Sequence, residues 1–429
     1  MIPAIEKASV QEIKQFQEEK LKELLVYLSE HSPYYKAMFE NKKIDIETIK
    51  TLEDLRKIPV TTKTDIQENN DAFFCVPMHK IIDYATTSGT LGDPVTFGLT
   101  DKDLDRLAYN EAISFVCSGI QEGDVVQLMT TMDRRFMAGL AYFLGLRKLG
   151  AGAIRVGAGI PELQWDSILK YKPKYLIAVP SFLLKMIEYA ESNNIDYNAS
   201  SVESVICIGE SLRNQDFSPS ILAKRIADKW NVKLFSTYAS TEMSTAFNEC
   251  EHFQGGHQHP ELIITEILDE GNQPVKQGES GELTITTLGV EALPLLRFKT
   301  GDIVKLHSEP CPCGRNTVRV GPVLGRKQHM IKYKGTTLYP PAMHDLLRFF
   351  EGIQSHLIEI STNDLGTDEI LIKIASDQPS EELMNQIKDH FRAKLRVTPK
   401  VEFVAQDELA KIIFPPMSRK PITFLDKRP

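Results

Sequence analysis

Long apolar stretches are missing from this sequence of 429 residues. A helix needs about 20 consecutive apolar residues to cross a bilayer, and no uninterrupted run reaches that length. Residues 1–7 also lack the apolar core of a signal peptide. We therefore expect a cytoplasmic protein without a membrane partner.

An excess of positive charge is missing as well. The chain has 50 Lys and Arg residues against 58 Asp and Glu residues, which gives a formal net charge of -8. Nucleic acids and anionic lipids are bound through clustered positive charge, so we expect no nucleic-acid partner. A local site for a small anion is still compatible with this charge.

Cysteine is scarce, and the 6 cysteines are too few for a disulfide scaffold. In a reducing compartment, clustered cysteines more often bind metal. A tetrahedral structural zinc site needs thiolate and imidazole groups from two loops, and the favoured set is Cys250, His257, Cys311 and Cys313. His252 is an alternative to His257, and His259 is a third choice. Unbound reduced cysteines are the competing interpretation.

The order of β-rich and helical stretches predicts an α/β fold with two domains. From Asp124 onward, short β-rich runs alternate with helical stretches, as in a parallel sheet covered by crossover helices. Beyond Leu262, hairpin-like strands predict an antiparallel subdomain. After Arg326, further strands and helices predict a small α+β lid, so the expected domains are 1–326 and 327–429. The predicted parallel strands are 125–129, 153–156, 175–179, 205–208 and 233–237.

Polar or small residues follow each predicted parallel strand. In an open sheet of this kind, ligands bind beyond the carboxyl ends of the strands. The residues at this edge are 130–131, 157, 180–181, 209–211 and 239–242. We predict a binding site where these segments converge.

A loop rich in hydroxyl groups and glycine lies between two strand-like runs, at residues 86–94. Glycines let backbone N–H groups converge on an anion, and hydroxyls add donors without a permanent charge. A polar hairpin turn is the alternative, because the loop lacks the Gly-Lys-Ser/Thr ending of a Walker loop. The central residues of the predicted phosphate-binding loop are Thr87, Ser88, Gly89 and Thr90.

This loop resembles the Thr-Ser-Gly-Thr-X-Gly-X-Pro signature of acyl-adenylate-forming enzymes, and five further motifs of that family follow in order. The resemblance covers nearly the whole chain, and the most similar branch is the phenylacetate-coenzyme A ligases. The further motifs are a Gly-Glu turn at 209–211, a Tyr-Gly-X-Thr-Glu-like segment at 238–242, an Arg-Tyr-Arg-Thr-X-Asp-like segment at 297–302, a hinge at 325–326 and a basic segment at 418–420.

The resemblance implies an enzyme that activates a carboxylic acid with ATP to an acyl-adenylate and then transfers the acyl group to coenzyme A. Thr241 would contact the α-phosphate, and Glu242 would hold Mg²⁺. Lys420 would stabilise the departing pyrophosphate, and rotation about a hinge near Gln328 would bring Gly335 to the coenzyme A path. The other implied nucleotide-binding residues are Gly209, Glu210, Ser211, Tyr238, Ala239, Ser240, Asp302 and Arg326.

Four residues depart from the family pattern. Ala239 replaces the usual glycine, Val95 stands where a lysine is common, and Gln328-His329 replaces a pair of aspartates. The resemblance to the aryl-acid branch also suggests a flat substrate. Phe136 and Gly139, at the start of a helix, are expected to line its pocket, with ordinary core packing as the alternative.

Alternative interpretations exist for the implied site and for the function. Glu242 could be a solvated surface carboxylate, and Lys420 could belong to a solvated tail. The competing functions are an adenylating enzyme whose acceptor is not coenzyme A and a nucleotide-binding regulatory protein without turnover, the latter motivated by Val95 and Gln328-His329. A homodimer is compatible with the sequence.

Overall fold

The computed structural model describes residues 2–87, 95–333, 336–362, 368–415 and 421–428. These residues form two compact units. The first comprises residues up to 219, together with 223–300 and 304–322, and the second comprises 220–222, 301–303 and the residues from 323 onward. The domain boundary expected at residue 326 stays a prediction.

Helix starts in the first unit are set by side-chain capping. Ser9, Thr62 and Thr100 each form a capping box with the acidic residue three positions later, so backbone N–H groups of the first turn are satisfied. No helix in the described part of the chain is both long and apolar enough to cross a membrane. The helices are α1 (Ala4–Lys7), α2 (Val10–His31), α3 (Pro33–Lys42), α4 (Lys63–Phe73), α5 (Asp101–Cys117), α6 (Met137–Leu149), α7 (Pro161–Tyr171), α8 (Pro180–Ser192) and α9 (Ile221–Ala227).

Strands of the first unit build one large mixed sheet, one antiparallel hairpin and a further sheet in which β10, β11 and β12 are neighbours, with residues 301–303 of β12 assigned to the second unit. The large sheet has the order β13-β14-β9-β8-β7-β6-β5-β3-β4, β1 pairs with β2, and β10 pairs with β11. The strands are β1 (Asp83–Thr86), β2 (Thr96–Leu99), β3 (Val125–Leu128), β4 (Gly152–Arg155), β5 (Tyr175–Ala178), β6 (Ser204–Cys207), β7 (Lys233–Ser240), β8 (Thr245–Asn248), β9 (Gly256–His257), β10 (Ile263–Leu268), β11 (Gly281–Thr287), β12 (Phe298–Val304), β13 (Leu306–His307) and β14 (Arg319–Val320).

The predicted parallel sheet is confirmed in the order β4-β3-β5-β6-β7. Every residue of β5 and β6 is buried, as expected for central parallel strands that are covered on both faces. The strands from β7 through β8, β9, β14 and β13 pair antiparallel. The turn into antiparallel pairing therefore occurs at β7, next to the predicted ligand edge.

The second unit is the predicted small α+β fold. Its sheet has the order β20-β19-β18-β21, and β16 and β17 form a separate hairpin. The aliphatic side chains of Ile358 and Ile372 and the ring of Phe391 lie in its core. The elements are β15 (Gly325–Arg326), β16 (Ile331–Tyr333), β17 (Thr336–Leu338), α10 (Pro340–Leu347), β18 (Ile353–Thr362), β19 (Asp368–Ser376), α11 (Glu381–Leu395), β20 (Lys400–Phe403), α12 (Gln406–Ile413) and β21 (Phe424–Asp426).

Candidate active site

The carboxyl ends of β5 and β6 lie side by side and next to the middle of β7. The last residue of β5, Ala178, pairs with Cys207, which in turn pairs with Ser236 of β7. The predicted segments at 180–181, 209–211 and 238–242 therefore come from three neighbouring strands at the same edge of the sheet. This arrangement gives a ligand three polar segments within reach of one another.

The turn after β6 is shaped by Gly209. Its φ of +78° lies in the left-handed region, and a Cβ added there would meet no atom within 4 Å. The carboxylate of the next residue, Glu210, accepts a hydrogen bond of 2.8 Å from the backbone N–H of Ser181, in the first turn of α8. Glu210 thus has a capping contact in addition to its predicted nucleotide role. Ser211 donates from Oγ to the carbonyl of Arg213 at 3.1 Å.

The end of β7 carries the second predicted nucleotide segment. The half-buried ring of Tyr238 stacks on Phe247 of β8, with centroids 5.9 Å apart and an interplanar angle of 18°. Ala239 is exposed and pairs with Ala246 in a regular ladder, so the departure from glycine requires no left-handed backbone at this position. Ser240 accepts a hydrogen bond of 3.3 Å from the N–H of Met243.

Arg106 of α5 stabilises the turn that contains Thr241 and Glu242, through a hydrogen bond to the carbonyl of Ser244. The guanidinium of Arg106 donates to the carbonyls of Ser244, Leu262 and Leu288, each at 2.7 Å. Burial lowers the pKa of Arg106 to about 10, so the side chain stays charged at neutral pH. Arg106 was not predicted from the sequence, because its acceptors lie on segments far away in the chain.

Arg106→Met is expected to lower the free energy of unfolding by about 3 kcal/mol or more. The substitution keeps an apolar stem but removes the guanidinium donor from three carbonyls, of which that of Leu262 still accepts from the Leu288 N–H, at about 1–3 kcal/mol for each carbonyl left unsatisfied. Urea unfolding measures the change. Lys102→Met is the matched control, since Lys102 lies on the same helix with a side chain that is 79% exposed and pairs only at the surface. An equal loss in both variants would contradict the role of Arg106.

The predicted phosphate loop is closed at its base. Thr86 pairs with Thr96 in the hairpin of β1 and β2, and the N–H of Thr87 donates to the carbonyl of Val95 at 3.1 Å. The N–H of Val95 returns a bond of 3.1 Å to the Thr87 hydroxyl, and its side chain is buried. Val95, where the family resemblance led us to expect lysine, is therefore part of the hairpin packing. Residues 88–94 of the loop, which include Ser88, Gly89 and Thr90, lie outside the described part of the chain.

Two predicted nucleotide-binding residues belong to the second unit. Asp302 and Arg326 pair on neighbouring strands, and the Arg326 Nε lies 3.4 Å from the Asp302 Oδ1. The Asp302 side chain is 12% exposed and that of Arg326 is 43% exposed. The guanidinium can thus orient the carboxylate that is predicted to bind ribose. Gly335 and Lys420 lie outside the described residues.

The expected acyl-pocket residues begin α6. A Cβ at Gly139 would lie 2.1 Å from the carbonyl oxygen of Thr131, which follows β3. Only glycine lets the helix approach the strand end this closely. Phe136 is the N-cap residue of α6 and is half-buried. Close packing against Thr131 therefore explains why position 139 is a glycine. The pocket-lining role of Phe136 and Gly139 stays a prediction.

A second polar centre lies at the antiparallel end of the large sheet. The ligand atoms of Cys250, His257, Cys311 and Cys313 all lie within 4.8 Å of one another. The Sγ atoms of Cys250 and Cys311 are 3.6 Å apart, and the Cys313 Sγ is 3.5 Å from the His257 Nε2. Tetrahedral zinc with bonds of about 2.0–2.3 Å places its ligand atoms about 3.5–3.8 Å apart, and these two separations meet that requirement.

The surroundings of His257 also suit a metal ligand. Its Nδ1 bonds the hydroxyl of Thr317 at 2.9 Å, which orients the Nε2 towards the cysteines. Burial lowers the pKa of His257, and this favours the neutral imidazole that binds metal. The two alternative histidines lie elsewhere. His252 is beside Glu251, and His259 bonds Ser114 and Glu6.

A buried carboxylate from α1 reaches this centre. Glu6 accepts a bond of 2.7 Å from the Arg315 Nε, and its other oxygen lies 2.5 Å from the His259 Nδ1. Burial alone would raise the pKa of Glu6, but His259 and Arg315 outweigh it and hold the pKa below its usual value. Arg315 in turn donates from Nη1 to the Cys313 Sγ at 3.6 Å. The sequence analysis did not identify this network.

Comparison with known proteins agrees with the geometry of the sheet edge. The AMP-binding enzyme family matches residues 10–291. A phenylacetate-coenzyme A ligase of Thermus thermophilus is 29% identical over 382 residues, covering 88% of this chain and 84% of that protein. One from Aromatoleum evansii is 30% identical over 353 residues, covering 80% of this chain and 77% of that protein.

A solved structure shares the fold over the full length. It is a 2-hydroxyisobutyryl-CoA ligase in the postadenylation state with 2-HIB-AMP, at a TM-score of 0.84 and 23% identity, covering 100% of this chain and 94% of that chain. At this identity the likeness concerns the fold alone. Taken with the family match and the curated relatives, the chain belongs to the AMP-binding enzyme family and is an AMP-forming acid–coenzyme A ligase that proceeds through an acyl-adenylate.

Proposed function

We propose that the acid is an aryl acid of the phenylacetate type. The curated relatives with 29% and 30% identity over most of the chain carry that activity in their names. The observation that supports the nucleotide site is the convergence of 209–211 and 238–242 on neighbouring strands. Phe136, half-buried at the start of α6, supplies an aromatic face suited to a flat substrate.

In the proposed first half-reaction, a carboxylate oxygen attacks the α-phosphorus of ATP, and the bond to the bridging oxygen breaks as pyrophosphate leaves. Positioning and charge neutralisation dominate such transfers. Thr241 donates to the α-phosphate, and the loop from Thr87 to Thr90 holds the phosphates. Glu242 would hold Mg²⁺, which neutralises phosphate charge. Asp302 accepts from the ribose hydroxyls.

In the second half-reaction, the thiol sulfur of coenzyme A attacks the adenylate carbonyl, AMP leaves with the bonding electron pair, and the thiol proton passes to solvent. The residue predicted to serve this step is Gly335, at the coenzyme A path, and Lys420 is predicted to have withdrawn by then. The thioester and AMP are the products.

A screen of carboxylic acids tests the substrate class. Pyrophosphate release is expected with phenylacetate and close aryl acids, and AMP release is expected to increase when coenzyme A is added. 2-Hydroxyisobutyrate serves as the short-chain comparison. AMP release that depends on the acid but not on coenzyme A would favour another acceptor. The absence of pyrophosphate release with every acid tested would contradict turnover.

We also propose that the cysteine–histidine cluster holds a structural zinc ion. Four protein ligands leave no open position on the metal, so the ion would stabilise the two loops and take no part in the chemistry. The support is the set of ligand separations and the Thr317 bond that orients His257.

A further inference from the structure

A buried ion pair lies between the nucleotide edge and the cysteine–histidine cluster. The Arg213 Nε lies 3.1 Å from the Glu249 Oε1, and the Arg213 Nη2 lies 3.1 Å from the Glu249 Oε2. The side chains are 9% and 1% exposed. A bidentate pair of this kind fixes both partners in one orientation.

The pair holds both predicted nucleotide segments. Arg213 follows the 209–211 turn, and its carbonyl accepts from the Ser211 hydroxyl at 3.1 Å. The Glu249 carboxylate accepts a bond of 2.8 Å from the N–H of Ser236, two residues before Tyr238 on β7. Arg213 also donates to the carbonyl of Leu234 on the same strand, at 2.7 Å. The ion pair thus ties the turn after β6 to β7.

The same ion pair also contacts the loop that carries Cys250 of the cysteine–histidine cluster. Glu249 directly precedes Cys250, and its backbone N–H donates to the Ser236 carbonyl at 3.0 Å. The guanidinium carbon of Arg213 lies 4.8 Å from the ring centroid of Phe253, and the Phe253 N–H donates to the Cys250 carbonyl at 3.0 Å. A metal that fixes Cys250 therefore also restricts Glu249 and Arg213.

We infer that the Glu249–Arg213 pair is a positioning device for the nucleotide-binding segments, and that it makes ATP affinity depend on metal in the cysteine–histidine cluster. The inference rests on the proposed nucleotide and zinc sites. Neither residue needs to touch ATP. Their effect is to reduce the freedom of two segments that would otherwise have to be ordered on binding.

Glu249→Gln tests the positioning role, because it keeps the shape but removes the charge and one acceptor. The KM for ATP is expected to rise about tenfold or more, since hydrogen bonds to charged groups are the strong ones, while kcat at saturating ATP and the KM for the acid stay near the wild-type values. Arg213→Lys loses the planar fork and is expected to shift the KM for ATP in the same direction. Arg213→Lys is the variant to measure if Glu249→Gln does not fold.

Asp124→Asn is the control. The Asp124 carboxylate lies 3.4 Å from the Lys174 Nζ and accepts a bond of 2.8 Å from the Gln121 N–H, just before β3 and thus at the opposite end of the sheet from the predicted ligand edge. A loss of thermal stability is expected there, with the KM for ATP unchanged. Equal increases in the KM values for ATP, acid and coenzyme A in Glu249→Gln would overturn the positioning role. An unchanged KM for ATP would overturn it as well.

Calorimetric titration with a non-hydrolysable ATP analogue tests the link to the metal. Zinc-depleted wild-type enzyme that remains folded by circular dichroism is expected to bind the analogue several-fold more weakly than zinc-repleted enzyme, and Glu249→Gln is expected to lose this difference. Equal affinity of depleted and repleted wild-type enzyme would overturn the link. Because this measurement needs no turnover, it separates a failure here from a failure of the proposed acid substrate.

Discussion

Loss of the metal from the cysteine–histidine cluster is expected to lower the midpoint of thermal unfolding by about 10 °C or more, because a structural zinc ion contributes its binding free energy to folding. The proposed ion would join two loops through groups that include the Sγ atoms of Cys250 and Cys311, which lie 3.6 Å apart. Differential scanning calorimetry with and without a chelator, followed by zinc addition, measures the effect.

Cys311→Ser gives the same test by substitution. Zinc content, measured by mass spectrometry, is expected to be near one ion per chain in the wild type and near zero in this variant. Cys75→Ser is the control, since Cys75 is buried outside the cluster and its Sγ contacts the Phe73 carbonyl. Equal zinc content in wild type and Cys311→Ser would contradict the site.

Lys420→Ala is expected to slow acyl-adenylate formation by about 100-fold to 1000-fold, as removal of one charge-stabilising donor does in comparable sites. Thioester formation from supplied phenylacetyl-adenylate is expected to change far less, because no pyrophosphate leaves in that step. Quenched-flow measurement of the two half-reactions separates these rates. This role rests on the family resemblance.

Arg419→Ala is the control for Lys420, since it removes a neighbouring positive charge of the same segment. A small effect on both half-reactions is expected. Equal slowing of adenylation and thioester formation in Lys420→Ala would contradict its assignment to pyrophosphate departure.

Much of the fold was predictable because apolar runs bounded by turn residues mark buried parallel strands. Four of the five predicted parallel strands end within one residue of the prediction, and the end of β7 differs by more. β7 continues to Ser240, beyond the predicted end at residue 237, because its last residues pair with β8 in a hairpin. A strand that is predicted from apolar content alone ends where half-exposed residues begin. In the structure, pairing with β8 continues β7 past that point.

The site was predictable where it is local in sequence. The Cys-X-Cys pair and the turns at the sheet edge are short patterns with a chemical meaning. The supporting residues are not of this kind. Arg106 reaches carbonyls 138 to 182 positions away, and Arg213 meets Glu249 across 36 positions. Such contacts depend on tertiary packing, which no local pattern records.

The buried carboxylate of Glu6 has a consequence for shortened forms of the protein. The segment that matches the family begins at residue 10, after α1. A chain that started at residue 10 and kept the remaining residues would leave the Arg315 guanidinium, 3% exposed, without its carboxylate partner beside Cys313. The first turn of the chain is thus part of the interior, and sequence similarity alone would mark it as dispensable.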